Sequence, residues 1–481
     1  MSGDPENDST PDERTVARQG LPIAGPMVPN AVGIGTTTQP QPHQTTPPGA
    51  SWNHPHRTRP TPDRDATAYP RAMRVIVIGA GVMGAWTARW LRRAGHAVTL
   101  VDRHGPGNTI GSSGDESRIT RSAHGPDRHY PLWQRRALDQ WKALQAEAGE
   151  QLFVPSGVVW LANARQTFEG DSADSLTALG IPFEHWTPSE LAARMPMLNP
   201  DGVPWALFEP EAGALMARAA VAATIAAFER EGGDVVVGRV LPPTASADTL
   251  GRVLLDDGRA IEGDAFVFAG GPWMPDLFPD ILGPIITTHR QDITKFALPA
   301  GDAAMYAPDR MPAWIDFEGS FYGFPSFDGA SAKACPDWLG PVERPDDSAR
   351  VAAEATIEGA REVLRRRFPA LAEQPVVKSW TCFYEVTPDA HFVIDRHPAL
   401  ANTWLAGGGT GHAFKHGPVI GEYLAAIVGG DTAAAAELAP PDNRFEIHAR
   451  NDTPSFRTSG RNPLEAGSEP VPYQRGASRL S

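Results

Sequence analysis

The chain has 481 residues, 41% of them hydrophobic and 21% charged, which is enough for two or three domains with a large buried core. Its formal net charge of -14 disfavours nucleic acid or an anionic membrane surface as a partner, and no apolar run approaches the roughly 20 residues that span a bilayer. Only two cysteines, Cys335 and Cys382, are present, which excludes a disulfide framework and a zinc-type cysteine pattern, so we expect a cytoplasmic protein.

The two ends of the chain are predicted to be poorly ordered. Residues 1–72 are rich in Pro, Thr, Gly and Asp with almost no hydrophobic periodicity, which is typical of a disordered N-terminal extension. Met73 directly precedes the first predicted strand, and we hypothesise that translation begins there. Residues 438–481 are expected to form a polar C-terminal tail.

Between the tails, the hydrophobic pattern predicts alternating strands and helices. The run "RVIVIG" is typical of a buried parallel strand, "VMGAWTARWLRRAG" has helical spacing, and "AVTLVD" is a second strand. Further helices are predicted in "RAAVAATIAAFEREGG", "AREVLRRRF" and "VIGEYLAAIVGG", and further strands in "DVVVGRV" and "GRVLLDDGRAIEGDAFVFAGG". Alternation of this kind indicates an α/β protein.

The first βαβ unit carries a dinucleotide-binding fingerprint. Gly79, Gly81 and Gly84 follow the first strand and open a helix, and Asp102 ends the second strand. The glycines allow a tight turn whose amides approach a pyrophosphate, and Asp102 can accept hydrogen bonds from a ribose. The negative charge of Asp102 disfavours NADP, but the motif leaves FAD and NAD open.

A pair of arginines follows in "GSSGDESRITRSAHG". Arg118 and Arg121 are three residues apart, close enough for both guanidinium groups to face one cavity and bind a carboxylate. The pattern alone leaves open whether they do so or form surface salt bridges.

Five segments carry motifs that occur together in one known family. They are "GAGVMG", "GSSGDESRITR", "YGFPSFDGASAK", "TCFYEVTPDAHFVIDRHP" and "AGGGTGHAFKHGPVIGE". In order and spacing they resemble the flavin-dependent amine oxidases that include monomeric sarcosine oxidase and N-methyltryptophan oxidase. The likeness runs from about Met73 to about Gly430 and leaves both tails out.

This resemblance implies an α/β fold with two interleaved domains. A Rossmann-like FAD-binding domain would comprise residues 73–152, 215–288 and 389–437. A substrate domain, containing a mostly antiparallel mixed β-sheet, would comprise residues 153–214 and 289–388.

The resemblance also implies FAD as the cofactor, attached covalently through Cys382. Taken alone, a single thiol in an apolar setting is more often an inert core residue. The cofactor-binding residues that the resemblance implies are Gly79, Gly81, Val82, Met83, Gly84, Asp102, Arg103, Ser112, Ser113, Arg118, Val240, Gly270, Cys382, Gly409, Gly411 and Lys415.

Positive side chains are implied to surround the flavin ring. Lys333 matches the family lysine that helps O2 accept electrons, since a fixed cation stabilises the negative charge that oxygen acquires. Arg121 and Lys415 are implied to hold a substrate carboxylate, and Arg118 to lie against the flavin. The implied catalytic residues are Lys333, Arg118, Arg121, Lys415 and Tyr384; His412 and His416 are expected to be structural.

One substrate position departs from the family. A histidine near the substrate is common where this chain has Asp337, which indicates a different amine or a larger pocket. The predicted substrate-binding residues are Arg121, Lys415, Tyr322, Asp337 and Tyr384. Trp314 and Trp380 are candidate pocket walls, with core packing as the alternative.

The function that follows is oxidation of a secondary amine, an N-methyl or cyclic amino acid. The imine product would hydrolyse, and O2 would be reduced to H2O2. The alternatives are a flavin dehydrogenase using another electron acceptor, a deaminating enzyme like D-amino acid oxidase, and a non-catalytic dinucleotide-binding module. The expected partners are a small-molecule amine or amino acid and O2, without nucleic acid, membrane or metal, and the protein is expected to be a monomer.

Overall fold

The computed structural model describes residues 72–163, 167–244, 247–317 and 319–449. The predicted N-terminal extension, apart from residue 72, lies outside the described residues, and so does the predicted C-terminal tail beyond residue 449. Within the described ranges, no helix combines the length and the hydropathy that crossing a membrane requires.

Strands supply the two main layers of the fold. In chain order they are β1 (Arg74–Ile78), β2 (Ala97–Asp102), β3 (Ser117–Thr120), β4 (Phe153–Val154), β5 (Val158–Ala162), β6 (Glu184–Trp186), β7 (Trp205–Glu209), β8 (Gly213–Met216), β9 (Asp234–Val237), β10 (Arg252–Leu254), β11 (Ala260–Glu262), β12 (Ala265–Phe268), β13 (Thr287–Ala297), β14 (Ala313–Asp316), β15 (Phe321–Phe324), β16 (Ser331–Pro336), β17 (Val376–Val386), β18 (Val393–Arg396) and β19 (Thr403–Gly407).

The α-helices connect these strands. They are α1 (Val82–Arg93), α2 (His129–Ala148), α3 (Phe168–Leu179), α4 (Pro188–Arg194), α5 (Ala217–Arg230), α6 (Met274–Leu277), α7 (Glu354–Arg367), α8 (Pro369–Ala372), α9 (Gly417–Gly429) and α10 (Thr432–Leu438). The helices and strands predicted from the hydrophobic pattern are confirmed, and so is the α/β fold class.

A six-stranded sheet forms the first layer of the fold. Its order is β18-β19-β12-β1-β2-β9, and its pairs are parallel except for β18 with β19. The central strand β1 is buried from Val75 to Ile78, as a parallel strand covered on both faces must be. This central position explains why its sequence is a continuous apolar run.

Three helices, α1, α5 and α9, pack together on this sheet. A Cβ atom on Gly421 of α9 would lie 2.5 Å from a backbone carbon of Trp86 in α1, so only glycine permits this close approach. The ring of Trp86 also packs edge to face against the ring of Trp141 in α2, with ring centroids 5.3 Å apart.

An eight-stranded sheet forms the second large layer. Its order is β17-β13-β16-β15-β14-β5-β7-β6, and all neighbours are antiparallel except β14 with β5. The expected mostly antiparallel mixed sheet is therefore present. Two smaller sheets, β3-β8-β4 and β10-β11, complete the strand pairing, and the limits of the two interleaved domains stay a prediction.

The register of this sheet determines which side chains share a face. Gln291 of β13 pairs with Cys382, and Lys295, four residues further along β13, pairs with Lys333. Paired residues project to the same side, and so do alternate residues of one strand. Cys382 and Lys333 therefore lie on one face, together with Tyr384 of β17 and Tyr322 of β15.

Candidate functional site

The glycine-rich turn joins β1 to the N-terminus of α1. Gly79 has φ +102, a conformation that favours glycine, and a Cβ on Gly84 would lie 1.8 Å from the Gly79 carbonyl oxygen. Gly84 therefore allows α1 to start directly against the turn, and it does not itself line the cleft. The Val82 amide donates to Ser113 Oγ at 3.0 Å, which connects the turn to the loop that follows β2.

The carboxylate of Asp102 ties the same turn to the end of β2. One oxygen accepts from the Ala80 amide at 2.8 Å, and the other accepts from the amides of His104 and Gly105 at 2.8 and 2.9 Å. The sequence predicted a ribose partner for Asp102 but did not predict these bonds. A carboxylate oxygen has two lone pairs, so the bonds leave capacity for a ligand hydroxyl.

A large cleft opens above this turn and encloses about 1490 Å³ of empty space, part of it open to solvent. Amide groups at the start of α1 and the carboxylate of Asp102 form one part of its wall, which is the donor and acceptor set that a dinucleotide requires. The cleft therefore fits FAD. The predicted residues that line it are Gly79, Gly81, Val82, Met83, Asp102, Arg103, Ser112, Ser113, Arg118, Val240, Gly270, Tyr384, Gly409 and Gly411.

A second pocket adjoins the cleft, and Arg118, Tyr384 and Gly411 line both. Three cations, Arg118, Arg121 and Lys415, and one acid, Asp337, line this pocket. Its apolar wall consists of Ile119, Trp160, Phe168, Ile315, Phe317, Phe324, Leu339, Val386 and Phe414. The structure thus brings Arg121, Lys415, Tyr322, Asp337 and Tyr384 together in one pocket, and their role in substrate binding stays a prediction.

Arg121 lies just beyond the end of β3 and is held from two sides. Its guanidinium lies 4.8 Å from the centroid of the Trp160 ring, in cation–π contact, and donates to the Ala123 carbonyl. Trp160 in turn donates its indole N–H to Glu209 at 2.9 Å. Glu209 is a site residue that no pattern in the sequence singled out.

Lys415 lies in a short 3-10 helix, Phe414–His416, directly before α9. The side chain is 2% exposed, and its ammonium donates to the His412 carbonyl at 2.7 Å. The Lys415 carbonyl accepts the indole N–H of Trp141 at 3.0 Å. These bonds fix a buried positive charge at the edge of the pocket, close to the N-terminus of α9.

Lys333 is buried beside Asp115, a second residue that sequence reasoning missed. Its ammonium donates to Asp115 at 2.5 Å, and Arg118 donates to the same carboxylate. Burial alone would raise the pKa of Asp115, but the two cations outweigh it and lower that pKa to about 2. In the sequence, Asp115 follows Gly114 in the same motif as Arg118 and Arg121. An acid so close to two predicted cations was the signal that could have identified it.

Cys382 is 4% exposed and belongs to β17. Its sulfur accepts a hydrogen bond from Arg118 Nη2 at 3.6 Å, so the thiol lies next to a residue that lines the cleft. Burial raises the pKa of Cys382, and Arg118 opposes part of that shift. Cys335 is fully buried, with a pKa raised to about 12 mainly by burial, and neither cysteine is in a disulfide.

The tyrosines and the acid of the pocket interact with each other. Tyr384 donates to Asp337 at 3.4 Å, and Tyr322 lines the same pocket. Burial raises the pKa of both tyrosines well above their usual value, so both remain neutral at physiological pH. Glu385, the next residue after Tyr384, accepts from Ser112 Oγ at 2.8 Å and lines the cleft, which the sequence did not predict.

The two candidate tryptophans differ in position. Trp314 of β14 is 1% exposed and packs in a core cluster; its strand neighbour Ile315, which projects to the opposite face, lines the pocket. Of the two alternatives that the sequence leaves open for Trp314, core packing is therefore the one the structure has, because the register turns the ring away from the pocket. Trp380 is half-buried and donates its indole N–H to Asp115 at 3.2 Å.

Three histidines, His124, His412 and His416, are buried close together, each with a ring nitrogen within 4.8 Å of one in the other two. The ring nitrogen Nδ1 of His124 bonds to the Ser122 carbonyl, and Nε2 of His412 to the Ala390 carbonyl. Because Lys415 already places a positive charge beside them, a divalent ion here is electrostatically disfavoured. We interpret the cluster as packing, and the structural role expected for His412 and His416 stays a prediction.

Comparisons with known proteins agree with this geometry. The family model described as "FAD dependent oxidoreductase" (DAO) matches residues 74–427. Monomeric sarcosine oxidase of Streptomyces avermitilis is 32% identical over 378 residues, covering 77% of this chain and 96% of that protein. N-methyl-L-tryptophan oxidase of Salmonella dublin is 27% identical over 366 residues, covering 75% and 95%. The crystal structure of L-proline dehydrogenase from P. horikoshii has a TM-score of 0.67 at 20% identity, covering 79% of this chain and 97% of that chain.

Proposed function

Because the chain belongs to the DAO family of FAD dependent oxidoreductases, we propose that it oxidises a secondary amine that also carries a carboxylate, with O2 as electron acceptor. An N-methyl or cyclic amino acid has this chemistry. Two relatives of the chain are sarcosine oxidase and N-methyl-L-tryptophan oxidase, which supports the choice. The imine product would hydrolyse in water, and oxygen would leave as H2O2.

The observation that carries the proposal is the charge distribution of the second pocket. Arg121 and Lys415 line one pocket with Asp337, and this pocket adjoins the cleft at Arg118 and Tyr384. An amino acid has one negative and one positive group, so opposite charges in one pocket suit it. The cations would bind the carboxylate, and Asp337 with Tyr384 would bind the amine.

Bound FAD would supply the redox chemistry by accepting a hydride equivalent from the carbon next to the amine nitrogen. The cofactor would be held by the turn at Gly79 and Gly81, by Asp102, and by Arg118 between the two cavities. We further propose that Cys382 attaches the cofactor covalently. Its position on the face that carries Lys333 and Tyr384, beside Arg118, supports this assignment.

The residues of the chain orient the substrate and control its proton. A protonated amine cannot lose a hydride from its neighbouring carbon, so the substrate nitrogen must be neutral when it reacts. Arg118, Arg121 and Lys415 favour loss of that proton, whereas the carboxylate of Asp337 opposes it. We therefore propose that activity rises with pH; a flat profile from about pH 6 to 9 would count against this.

Lys333 is proposed to assist the reaction with oxygen. Its ammonium is held by Asp115 and by the Ser117 carbonyl at 3.2 Å, so its charge is fixed before oxygen arrives. A cation that is already oriented stabilises developing negative charge without reorganisation. We also propose a cytoplasmic monomer, since neither cysteine is in a disulfide and one relative is a monomeric sarcosine oxidase.

The decisive experiment uses the purified holoprotein with sarcosine, N-methyl-L-tryptophan, L-proline, D-alanine and glycine. We expect an amino acid with a secondary amine to bleach the flavin without air and to yield one H2O2 per turnover in air. Bleaching without peroxide would identify a dehydrogenase, and bleaching by D-alanine alone a deaminating enzyme. If none of the amines bleaches the flavin, the proposal fails.

A further inference from the structure

Glu209 is a buried carboxylate at the end of β7, directly behind the part of the pocket that contains Arg121. Its Oε2 accepts from the amides of Ser122 and Ala123 at 2.6 and 3.2 Å, and its Oε1 accepts the indole N–H of Trp160 at 2.9 Å. The residue is 3% exposed. Three N–H donors therefore converge on one carboxylate that water barely reaches.

These donors belong to the groups that hold Arg121. The guanidinium stacks on the ring of Trp160 and donates to the carbonyl of Ala123. Glu209 accepts hydrogen bonds from the indole N–H of Trp160 and from the amide of Ala123. Both supports of the arginine are thus fixed by one side chain that is itself held by a strand of the large sheet.

Burial of this charge requires compensation. Burial raises the pKa of Glu209, while its hydrogen bonds and the nearby Arg121 oppose the rise. A buried carboxylate is costly unless it is hydrogen-bonded and paired, and here its partners are the supports of a pocket cation. The cost of burying the Glu209 carboxylate is explained if ligand binding requires Arg121 to be held in one position.

We propose that Glu209 is a positioning residue that holds Arg121 in the orientation required to bind the substrate carboxylate. The inference rests on the proposed function, because it takes Arg121 as the receptor of that carboxylate. Two-point binding between a guanidinium and a carboxylate depends on the angle of the planar group, so a loosened arginine binds less tightly.

Two effects of removing Glu209 have opposite signs, which makes the proposal testable. Loss of its negative charge makes the pocket more positive and would tighten carboxylate binding. Loss of its hydrogen bonds frees the supports of Arg121 and would weaken binding. Three bonds are involved, and a buried donor left without a partner is strongly unfavourable, so the second effect should dominate.

Benzoate binding to the holoprotein, followed by the change in flavin absorbance, measures this without turnover. In Glu209→Gln we expect the dissociation constant to rise roughly tenfold, because the amide nitrogen faces an N–H donor and the supports of Arg121 are loosened, which outweighs the opposite effect of the lost charge. Glu209→Asp should restore part of the affinity. Benzamide, which lacks the negative charge, should bind wild type and variants alike.

Glu211→Gln is the matched control, since Glu211 lies two residues away in an exposed ion pair with Arg135. Its benzoate affinity should equal that of wild type. Trp160→Phe tests the same support without altering charge: it keeps an aromatic ring but removes the indole N–H, and we expect several-fold weaker benzoate binding. This variant also covers the case in which Glu209→Gln does not fold.

Unchanged or tighter benzoate binding in Glu209→Gln, with only a lower Tm, would overturn the proposal and leave Glu209 a stabilising residue. Wild-type protein that does not bind benzoate would overturn it as well, because Arg121 would then not receive carboxylates. By contrast, normal benzoate binding without oxidation of any amine would refute only the proposed function.

Discussion

Lys333 and Asp115, 218 positions apart in the chain, form a buried ion pair in which the ammonium nitrogen lies 2.5 Å from a carboxylate oxygen. The same carboxylate pairs with Arg118 and accepts the indole N–H of Trp380. One acid thus compensates two cations that come from distant segments. The net charge beside the cleft therefore depends on Asp115 as much as on Lys333 and Arg118.

Replacing Asp115 with asparagine should strongly destabilise the protein. The buried ammonium of Lys333 would lose its anion, and Arg118 would lose the same partner; such a change costs about 3–5 kcal/mol. Urea unfolding of the holoprotein measures the loss. Asp257→Asn is the control, because Asp257 forms an exposed pair with Arg259 and should change the free energy of unfolding by less than about 1 kcal/mol. Equal stability of Asp115→Asn and wild type would contradict the importance of the pair.

The same carboxyl predicts how stability depends on acid. Its pKa is lowered from 3.8 to about 2, so its stabilising effect is complete above pH 3.8 and disappears as the pH falls through 2. The effect corresponds to about 2 kcal/mol, which Asp115→Asn should lack. The test is to measure the free energy of unfolding of wild type and of Asp115→Asn at a series of pH values between 5 and 2, and to compare how steeply each falls with pH. Parallel slopes would assign the acid sensitivity to other groups.

Lys333→Met should slow the reaction of the reduced enzyme with oxygen but not its reduction by the amine. Removing one preorganised charge stabiliser typically lowers a rate by about 10²–10³ fold. Stopped-flow mixing with oxygenated buffer, after anaerobic reduction, separates the two steps. Lys378→Met, which removes an exposed lysine stacked on Trp380, is the matched control. Wild-type reoxidation rates in Lys333→Met would remove the lysine from the oxygen reaction.

Cys382→Ser should release the flavin on acid precipitation, whereas the wild-type pellet should stay yellow. The reason is that a serine hydroxyl does not form the thioether that we propose. Cys335→Ser should behave like wild type: Cys335 packs in the same buried cluster as Cys382, but the sulfur that contacts Arg118 at the cleft is that of Cys382. A colourless wild-type pellet would exclude the covalent link while leaving FAD binding intact.

Asp337→Asn should move the pH dependence of kcat to lower pH. The carboxylate at the amine end of the pocket stabilises a protonated amine and so raises the pKa of the bound substrate. Asparagine removes this effect, and the neutral amine then predominates at lower pH. Initial rates at saturating substrate from pH 6 to 10 test the shift. An unchanged profile would place the amine away from Asp337.

Local features of this protein could be predicted from sequence, whereas features set by strand register could not. The βαβ unit with Gly79, Gly81 and Asp102 is local, because its turn, helix and acid lie within 30 residues. The pocket cations were found through motifs that resemble a known family. Hydrophobic periodicity alone would not have indicated that Arg121 and Lys415 line one pocket, since nearly 300 positions separate them.

Residues that support the site were missed for a physical reason. Glu209 and Trp160 meet because β5 and β7 are neighbours in the large sheet, and no pattern within either strand indicates that pairing. The choice between pocket wall and core for Trp314, which the sequence left open, has the same origin. A one-residue difference in register decides whether a strand residue faces the pocket or the core.

The central place of β13 has a further consequence. This strand lies between β16, which carries Lys333, and β17, which carries Cys382. Neighbouring strands are about 4.8 Å apart, so the backbones that carry the proposed oxygen-activating lysine and the proposed flavin tether are separated by about 10 Å through hydrogen bonds alone. Substitutions of side chains around the substrate can thus adapt the pocket to other amines while the distance between the backbones of β16 and β17 stays constant.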